Sequence, residues 1–286
     1  MAAQTAEINN MRFAVLIDAD NVPRDVLKSV MEEIAIYGTP TIKRIYGDWT
    51  SPHTGGWKGS LLENAVTPIQ QYGYTTGKNS TDSAMIIDAM DILYTSRTEG
   101  FVIVSSDSDF TRLATRLREA GQYVIGIGER KTPMPFIVAC DKFIYIEVIR
   151  ERANKSAKAV ENANKLIKNG NGNGGNKRRK TEPVKKPAEK TSERSCERNK
   201  PGDKHVPENI IELIADSIAD LADDDGYIDL SNLGNLIIKK QPDFDPRNFG
   251  FGKLSNMLKH LERFEVDVRN SNDPHVKPIY IRDKEV

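Results

Sequence analysis

The sequence predicts an α/β protein in which a mostly parallel sheet is covered by helices on both faces, followed by a smaller C-terminal unit. Short apolar runs alternate with amphipathic helical patterns over roughly the first half of the 286-residue chain. Strands that alternate with helices form right-handed βαβ units, which build parallel sheets. A chain of this length suits about two domains of roughly 100 to 200 residues each. We therefore expect one larger α/β domain and one smaller domain.

Six short segments of the larger domain have the composition of strands. FAVLI and FVIV are almost continuously hydrophobic, as expected of strands that are buried on both faces. Helical periodicity separates the strand-like segments, which indicates the crossover helices of a parallel sheet. The predicted strands are 13–17, 41–46, 67–72, 101–104, 123–127 and 143–147, and the predicted helical stretches include 26–34, 85–93 and 110–117.

Acidic residues follow two of the predicted strands. Asp18 comes directly after FAVLI, and Asp107 and Asp109 follow within five residues of FVIV. Asp82 opens the helical pattern that precedes FVIV. Open α/β sheets bind their ligands at the carboxyl ends of the strands, near the point where the strand order reverses. We therefore expect these four carboxylates, which come from three segments, to converge on one rim of the sheet.

Each of these residues also has a structural explanation of its own. Asp107 and Asp82 could cap helices, Asp109 could favour the positive end of a helix dipole, and Asn21 could be another helix cap. Crowded carboxylates repel each other, however, and their pKa values rise unless a cation neutralises them. A divalent metal explains all four together. Ligation by oxygen alone favours Mg²⁺ or Mn²⁺ over zinc.

Asp88 lies on the same predicted helix as Asp82 but points elsewhere. Six residues correspond to about 9 Å along a helix and roughly 240° around its axis. One ion is therefore not expected to bind both carboxylates. The apolar neighbours Ile86 and Met90 favour a buried carboxylate, either directly behind the metal ligands or in a structural hydrogen bond, over a ligand of a second metal.

The net charge is zero, but it is unevenly spread. Between Lys177 and Lys204, eleven Lys and Arg residues face five Asp and Glu residues, and Val184 is the only branched aliphatic residue. Such a segment buries too little apolar surface to offset the entropy of ordering, so 151–204 is predicted to be a basic disordered linker. Its charge could attract nucleic acid, although a solvated linker is the commoner interpretation.

Neither a membrane nor a secreted environment is expected. No apolar run approaches the ~18 residues of a membrane span, and the N-terminal residues lack the features of a signal peptide. The two cysteines, Cys140 and Cys196, are too isolated for a disulfide framework or a zinc site. We therefore expect a cytoplasmic protein.

The first part of the chain resembles a known family. The motifs IDADN, KNSTDSAMIIDAMD and IVSSDSDFTRLATRLREAG are similar to those of the NYN domain, a branch of the PIN-like nucleases that includes the LabA-like bacterial proteins. The resemblance assigns a PIN-like (Rossmannoid) nuclease domain to 11–150. It implies catalytic metal ligands, a strand-end amide, substrate contacts and a companion carboxylate behind the ligands. The implied metal ligands are Asp18, Asp82, Asp107 and Asp109. The strand-end amide is Asn21, a catalytic residue that would contact water or phosphate. The substrate contacts are Lys78 and Ser106, and the companion carboxylate is Asp88. Ser106 stands where glycine is common in the family, which affects the fit of the substrate more than metal binding.

The C-terminal unit, 205–286, has three helical patterns followed by a strand, a loop and a partner strand, which is the order of a winged helix. Its PDFDPRNFGFGKL segment resembles the OST-HTH domain, also called LOTUS. That resemblance implies RNA binding, with helicase partners in some members, so a protein partner is an open alternative. Arg247 and Lys253 are the candidate phosphate contacts, and ordinary solvated charges are the equal alternative. The sequence does not indicate the oligomeric state.

These features together favour a ribonuclease that uses Mg²⁺ or Mn²⁺ and carries a tethered RNA-binding winged helix. The resemblance to PIN-like nucleases implies products with a 5′-phosphate and a 3′-hydroxyl. The alternatives are a non-catalytic RNA-binding or regulatory adaptor and a metal-dependent phosphatase of small phosphoesters. Trp49, Trp57 and Tyr74 could stack on bases beside Lys58, or the tryptophans could pack in the core.

Overall fold

The computed structural model describes residues 11–52, 54–72, 80–169, 204–223, 225–269 and 277–285. The described residues form a six-stranded sheet in the first half of the chain and a three-stranded sheet near the C-terminus. The two sheets belong to separate hydrophobic cores.

The larger sheet is parallel throughout. Its strand order is β3-β2-β1-β4-β5-β6, and every neighbouring pair of strands runs in the same direction. The strands are β1 (Arg12–Asp18), β2 (Thr39–Gly47), β3 (Thr67–Gln70), β4 (Gly100–Val104), β5 (Tyr123–Gly128) and β6 (Lys142–Tyr145). This topology confirms the predicted α/β fold class.

Helices cover both faces of this sheet. They are α1 (Leu27–Ile34), α2 (Lys58–Asn64), α3 (Ser80–Thr95), α4 (Thr111–Glu119), α5 (Met134–Ala139) and α6 (Ile146–Asn169). The first, second and sixth pack on one face, and the other three pack on the opposite face. Alternate residues of β1 point to opposite faces of the sheet. Val15 packs in the core under α1, α2 and α6, and Leu16 packs in the core under α3, α4 and α5. The two-sided burial explains why FAVLI is apolar at every position.

The predicted linker begins too early. The expected strand 143–147 ends at Tyr145, and α6 then continues without a break to Asn169. The first part of the predicted disordered linker 151–204 is therefore helical. Tertiary contacts hold the start of α6, because Ile149 lies in the core and Arg150 pairs with Asp25. Residues 170–203 lie outside the described part of the chain.

The C-terminal unit has the predicted winged-helix order. Its elements are α7 (Glu208–Leu221), β7 (Ile228–Asp229), α8 (Leu230–Lys240), α9 (Leu254–His260), β8 (Phe264–Val268) and β9 (Ile279–Asp283). The three helices and the β8–β9 pair confirm the prediction from the sequence. The antiparallel order β7-β9-β8 adds one strand, and its two residues are too few to show a periodicity. A separate core around Leu233, Ile237 and Met257 holds the unit together.

Two smaller expectations concern membranes and cysteines. None of the helices in the described ranges is both long enough and apolar enough to cross a bilayer. Cys140 is a buried free thiol, and burial raises its pKa to about 12. A thiol with so high a pKa is not a nucleophile at neutral pH. Cys196 lies outside the described residues.

Candidate metal centre

The strand order reverses at β1, which pairs with β2 on one side and β4 on the other. Asp18 is the last residue of β1, and Asp107 follows three residues after the end of β4. Both therefore lie at the switch point of the sheet, on the rim formed by the carboxyl ends of the strands. Ligand sites of open α/β sheets lie at this point.

Three carboxylates come together on this rim. Asp82 lies in the first turn of α3, and Asp107 and Asp109 belong to the turn that follows β4. Each offers one carboxylate oxygen to a group in which all the oxygens lie within 4.8 Å of one another. Three of the four predicted metal ligands thus converge, from two segments that are far apart in the sequence.

Asp18 lies beside this group and is held differently. Its side chain is 1% exposed, and burial raises its pKa. Hydrogen bonds oppose that rise, because Ser105 Oγ donates to Oδ2 over 2.8 Å and Asn21 Nδ2 donates to the same oxygen over 2.7 Å. The Asp20 N–H donates to Oδ1 over 3.0 Å. These hydrogen bonds therefore fix the orientation of the Asp18 carboxylate.

The group carries strong electrostatic repulsion. The pKa of Asp82 is raised to about 6, first by burial and then by the negative charges of Asp18, Asp107 and Asp109. Asp20 adds to the rise, and its Oδ2 accepts a hydrogen bond from the Thr81 hydroxyl over 3.2 Å. Asp20 is a fifth carboxylate that the sequence analysis did not include. The signal was present, since Asp20 follows Asp18 by two residues in IDADN.

We expect Asp82→Asn to stabilise the metal-free protein at about pH 7.5. The folded-state pKa of Asp82, about 6, exceeds its ordinary value of 3.8, so folding favours the protonated form. The contribution of Asp82 to stability is thus complete below about pH 4 and is lost as the pH rises through about 6. The substitution should add roughly 1 kcal/mol at pH 7.5, because partial exposure screens the repulsion.

Urea denaturation in chelator at several pH values measures this effect. The gain from Asp82→Asn should shrink as the pH falls below about 6. Asp91→Asn, an exposed position on the same helix, is the matched control and should leave the free energy of unfolding unchanged. A pH-independent difference between wild type and Asp82→Asn would contradict the repulsion described above.

Asp107 has both of the roles that its position in the sequence allowed, a cap and a member of the acidic group. Its Oδ1 accepts a hydrogen bond from the Asp109 N–H over 2.9 Å, so the residue caps the turn Ser108–Phe110 as the structural explanation predicted. Its carboxylate also belongs to the acidic group. A carboxylate has two oxygens with several acceptor positions, so capping does not exclude metal binding. The cap instead fixes the direction in which the side chain points.

Ser105 is a site residue that the sequence analysis missed. It is completely buried and links two of the aspartates, since its hydroxyl donates to Asp18 Oδ2 and accepts from the Asp107 N–H over 3.1 Å. Asn21, expected to contact water or phosphate, also directs its amide to Asp18. Both residues therefore position a carboxylate. The sequence holds only a weak signal for Ser105, because a serine after a buried strand is common in loops.

Ser105→Ala should weaken both the fold and metal binding. The substitution leaves the buried carboxylate of Asp18 without one donor, and removing a hydrogen bond to a charged group costs about 1.5–3 kcal/mol. Loss of a residue that orients site carboxylates typically weakens metal affinity by about 10–100-fold. Urea denaturation and Mn²⁺ titration measure the two effects. Ser108→Ala, at an exposed position of the same loop, is the control, and equal behaviour of the two variants would argue against this role.

Two further predicted residues have structural partners. The Ser106 hydroxyl accepts a hydrogen bond from the Glu129 N–H over 2.8 Å, which ties the β4 loop to the β5 loop. Asp88 pairs with Arg44 and accepts a hydrogen bond from the Tyr46 hydroxyl. These contacts fasten α3 to β2, and Asp88 is half-buried where the sequence predicted a buried carboxylate. Its predicted place behind the metal ligands stays a prediction. The predicted substrate contact of Ser106 stays a prediction.

The remaining predicted contacts are spread over the chain. Lys78 and Tyr74 lie outside the described residues. Trp57 is buried in the core, as the structural explanation predicted, and Trp49 packs on the same core and donates its indole N–H to the Ile69 carbonyl over 2.9 Å. Lys253 is exposed immediately before α9, whereas the Arg247 guanidinium contacts Glu33 and Asp245.

Comparison with known families assigns both domains. Residues 12–147 match the NYN domain, and residues 204–276 match the OST-HTH/LOTUS domain. The chain carries an NYN domain followed by an OST-HTH domain. The NYN match contains every carboxylate of the acidic group. These matches confirm both resemblances inferred from the motifs. The NYN domain is nuclease-like, and the OST-HTH domain is of an RNA-binding type.

Solved structures also resemble this chain. A crystal structure of a protein of unknown function from Vibrio parahaemolyticus RIMD 2210633 is 18% identical, with a TM-score of 0.42, and the match covers 48% of this chain and 94% of that one. A solution NMR structure of an uncharacterized protein from Nitrosomonas europaea is 27% identical, with a TM-score of 0.26, and covers 34% of this chain and 91% of the other. No curated protein matches the chain.

Proposed function

We propose that the chain is a ribonuclease that requires Mg²⁺ or Mn²⁺ and cleaves RNA in its NYN domain. The observation that carries the proposal is the convergence of the Asp82, Asp107 and Asp109 carboxylates, all within 4.8 Å, at the switch point of the sheet. Such crowding is electrostatically unfavourable unless a cation offsets the repulsion. The NYN match supports nuclease chemistry at that position.

The residues present fit a hard divalent cation. All the side chains of the group are carboxylates, and oxygen ligands are those that Mg²⁺ and Mn²⁺ prefer. The raised pKa of Asp82, about 6, reflects burial and a negative potential, and a bound cation would relieve the repulsive part. Asp82, Asp107 and Asp109 would hold the ion, and Asp18 would strengthen the negative potential from its buried position.

The protein contributes mainly orientation and charge to the proposed reaction. A bound divalent ion would polarise the scissile phosphate and lower the pKa of a bound water. Asp107 is held in direction by the hydrogen bond from the Asp109 N–H. The side chain of Asp109 is exposed on the rim, where its carboxylate can accept a hydrogen bond from the attacking water. Ser105 and Asn21 keep Asp18 fixed, so little reorganisation is needed during the reaction.

The OST-HTH domain would supply RNA affinity. Lys253 and Lys259 are exposed on this domain and can meet phosphates, and the excess of Lys and Arg in 177–204 adds an attraction that depends on salt. Phosphate contacts of this kind carry little sequence information. The nucleotide preference would therefore come from other contacts of the bound RNA.

Incubation of the purified chain with matched labelled RNA and DNA tests the proposal. Cleavage of RNA should require Mg²⁺ or Mn²⁺, should stop in chelator, and should leave a 5′-phosphate. RNA binding without cleavage under any metal condition would instead identify the chain as a non-catalytic adaptor. Hydrolysis of small phosphoesters with no action on RNA would identify a phosphatase.

A further inference from the structure

The two domains meet along an edge of the six-stranded sheet. β6 is the last strand in the order, so among the described residues one side of it has no neighbouring strand. Exposed strand edges are liabilities that proteins usually cover. Here the Phe143 N–H donates to the Pro242 carbonyl over 2.9 Å. The loop between α8 and α9 of the OST-HTH domain thus satisfies a backbone donor at the edge of the NYN sheet.

A second contact lies two residues further along the same strand. The Tyr145 hydroxyl donates to Asp243 Oδ2 over 2.8 Å. Lys142, the first residue of β6, is also buried, and its ammonium group lies 5.5 Å from the centre of the Tyr37 ring. Lysine is rarely buried without compensating partners, and the negative charges of Asp245 and Glu33 act on this one. The contacts with the OST-HTH domain thus occur at alternate positions of the strand, Phe143 and Tyr145.

An ion pair between the domains completes the contact. Glu33, near the end of α1, is only 2% exposed. Arg247 donates to both of its oxygens, from Nη2 over 2.6 Å and from Nη1 over 3.1 Å. Arg152 of α6 donates to Glu33 Oε2 over 2.8 Å. A buried carboxylate is strongly destabilising without a partner, so an arginine from the OST-HTH domain helps to stabilise the NYN domain.

Arg247 is itself held in position for this contact. Its Nε donates to Asp245 Oδ2 over 2.9 Å, and its Nη2 donates to the same oxygen over 2.6 Å. The planar guanidinium thus bridges a carboxylate of each domain, a geometry that lysine could not reproduce. While it does so, the same guanidinium is not available to an RNA phosphate.

The contacts described between the domains do not involve the acidic group. The chain after α1 returns to the start of β1, where the Thr39 N–H donates to the Met11 carbonyl, so Glu33 lies toward the amino ends of the strands. The acidic group lies at the carboxyl ends. None of the residues that join the domains belongs to that group.

We propose that the OST-HTH domain docks on the NYN domain in solution through these contacts. The NYN side of the interface includes Glu33, Phe143 and Tyr145, and the other side includes Pro242, Asp243 and Arg247. Docking gives the two domains one relative orientation, which a flexible tether alone would not provide. An RNA bound to the OST-HTH domain would then meet the acidic rim from one fixed direction.

Hydrogen exchange of single backbone amides in the full chain tests the docking. The Phe143 amide should be protected in the unmodified protein, because its acceptor belongs to the other domain. Arg247→Gln and Glu33→Gln should each speed its exchange at least about tenfold, since a loss of ~1.4 kcal/mol in docking free energy already has that effect. The Asp141 amide, which donates to Val124 inside the NYN domain, should not change in Arg247→Gln.

Two controls separate docking from folding. Arg282→Gln removes an exposed ion pair with Glu265 within the OST-HTH domain and should leave the Phe143 amide protected. Tyr145→Phe removes only the hydroxyl bond to Asp243 and should speed exchange at Phe143 less than Arg247→Gln does. An unprotected Phe143 amide in the unmodified chain, or protection that survives both Arg247→Gln and Glu33→Gln, would overturn the proposal. These measurements need neither RNA nor metal, so their outcome is independent of the proposed nuclease activity.

Discussion

Asp107→Asn should lower metal-dependent RNA cleavage by at least about 100-fold. The substitution removes one negative charge from the group that brings Asp82, Asp107 and Asp109 within 4.8 Å, and replaces one ligand oxygen with an amide nitrogen. Loss of residues that only support metal ligands already costs about 10–100-fold, so loss of a ligand should cost more. The fold should survive, because asparagine can still cap the turn at Ser108–Phe110. Cleavage of labelled RNA over a range of Mn²⁺ concentrations measures the effect.

The same measurement contains its own controls. Asp91→Asn makes the same chemical change on the exposed side of α3 and should keep full activity. A loss in Asp107→Asn that very high Mn²⁺ restores would identify weakened metal binding, whereas a loss at every Mn²⁺ concentration would identify a role in the chemical step. Cleavage that continues in chelator, or that Asp107→Asn leaves intact, would exclude the proposed site.

The architecture of the larger domain could be predicted because its signals are local. FAVLI and FVIV are apolar at successive positions, and the structure shows why, since alternate residues of β1 enter different cores. The start of each crossover helix is likewise visible in the spacing of apolar residues. Burial on both faces and helical periodicity need no knowledge of distant contacts, so single-sequence reasoning is sufficient for them.

The extent of α6 could not be predicted in the same way. The residues that follow Tyr145 are largely polar, and the sequence predicts a linker soon after them. The start of this helix is stabilised by Asp25 and Glu33, which pair with Arg150 and Arg152 over more than one hundred positions of sequence. Pairing over such a separation leaves no local pattern. The predicted start of the linker, residue 151, therefore lies too close to the N-terminus.

The candidate site shows the same division between local and distant information. The sequence places Asp18, Asp82, Asp107 and Asp109 on one rim because strand ends and helix starts meet there. It does not show that hydrogen bonds from Ser105 and Asn21 would fix the side chain of Asp18. The ion pair of Arg247 with Glu33 could not be predicted either, because Glu33 belongs to the other domain. Side-chain partners of this kind depend on the packed structure.

Deletion of residues 205–286 should weaken RNA affinity at least about tenfold while turnover on saturating short RNA stays within about threefold of the full chain. The deletion removes Lys253 and the rest of the OST-HTH domain, but it leaves Asp82, Asp107 and Asp109 in place. It also removes Arg247, which leaves Glu33 with Arg152 as its cationic partner. The truncated chain should therefore be less stable, and the comparison belongs at low temperature. Titration of labelled RNA at fixed salt, together with single-turnover cleavage, separates affinity from chemistry.

A full-length variant distinguishes capture of RNA from support of the NYN fold. Lys253→Gln combined with Lys259→Gln keeps the domain and its contact with Glu33, and removes two exposed charges that can meet phosphates. If the domain captures RNA through these charges, the variant should show part of the decrease in RNA affinity that truncation causes. Its RNA binding should depend less on salt concentration. Its stability should equal that of the full chain. If truncation lowers stability but leaves affinity unchanged, the domain does not capture RNA, and its exposed surface would be assigned to a protein partner.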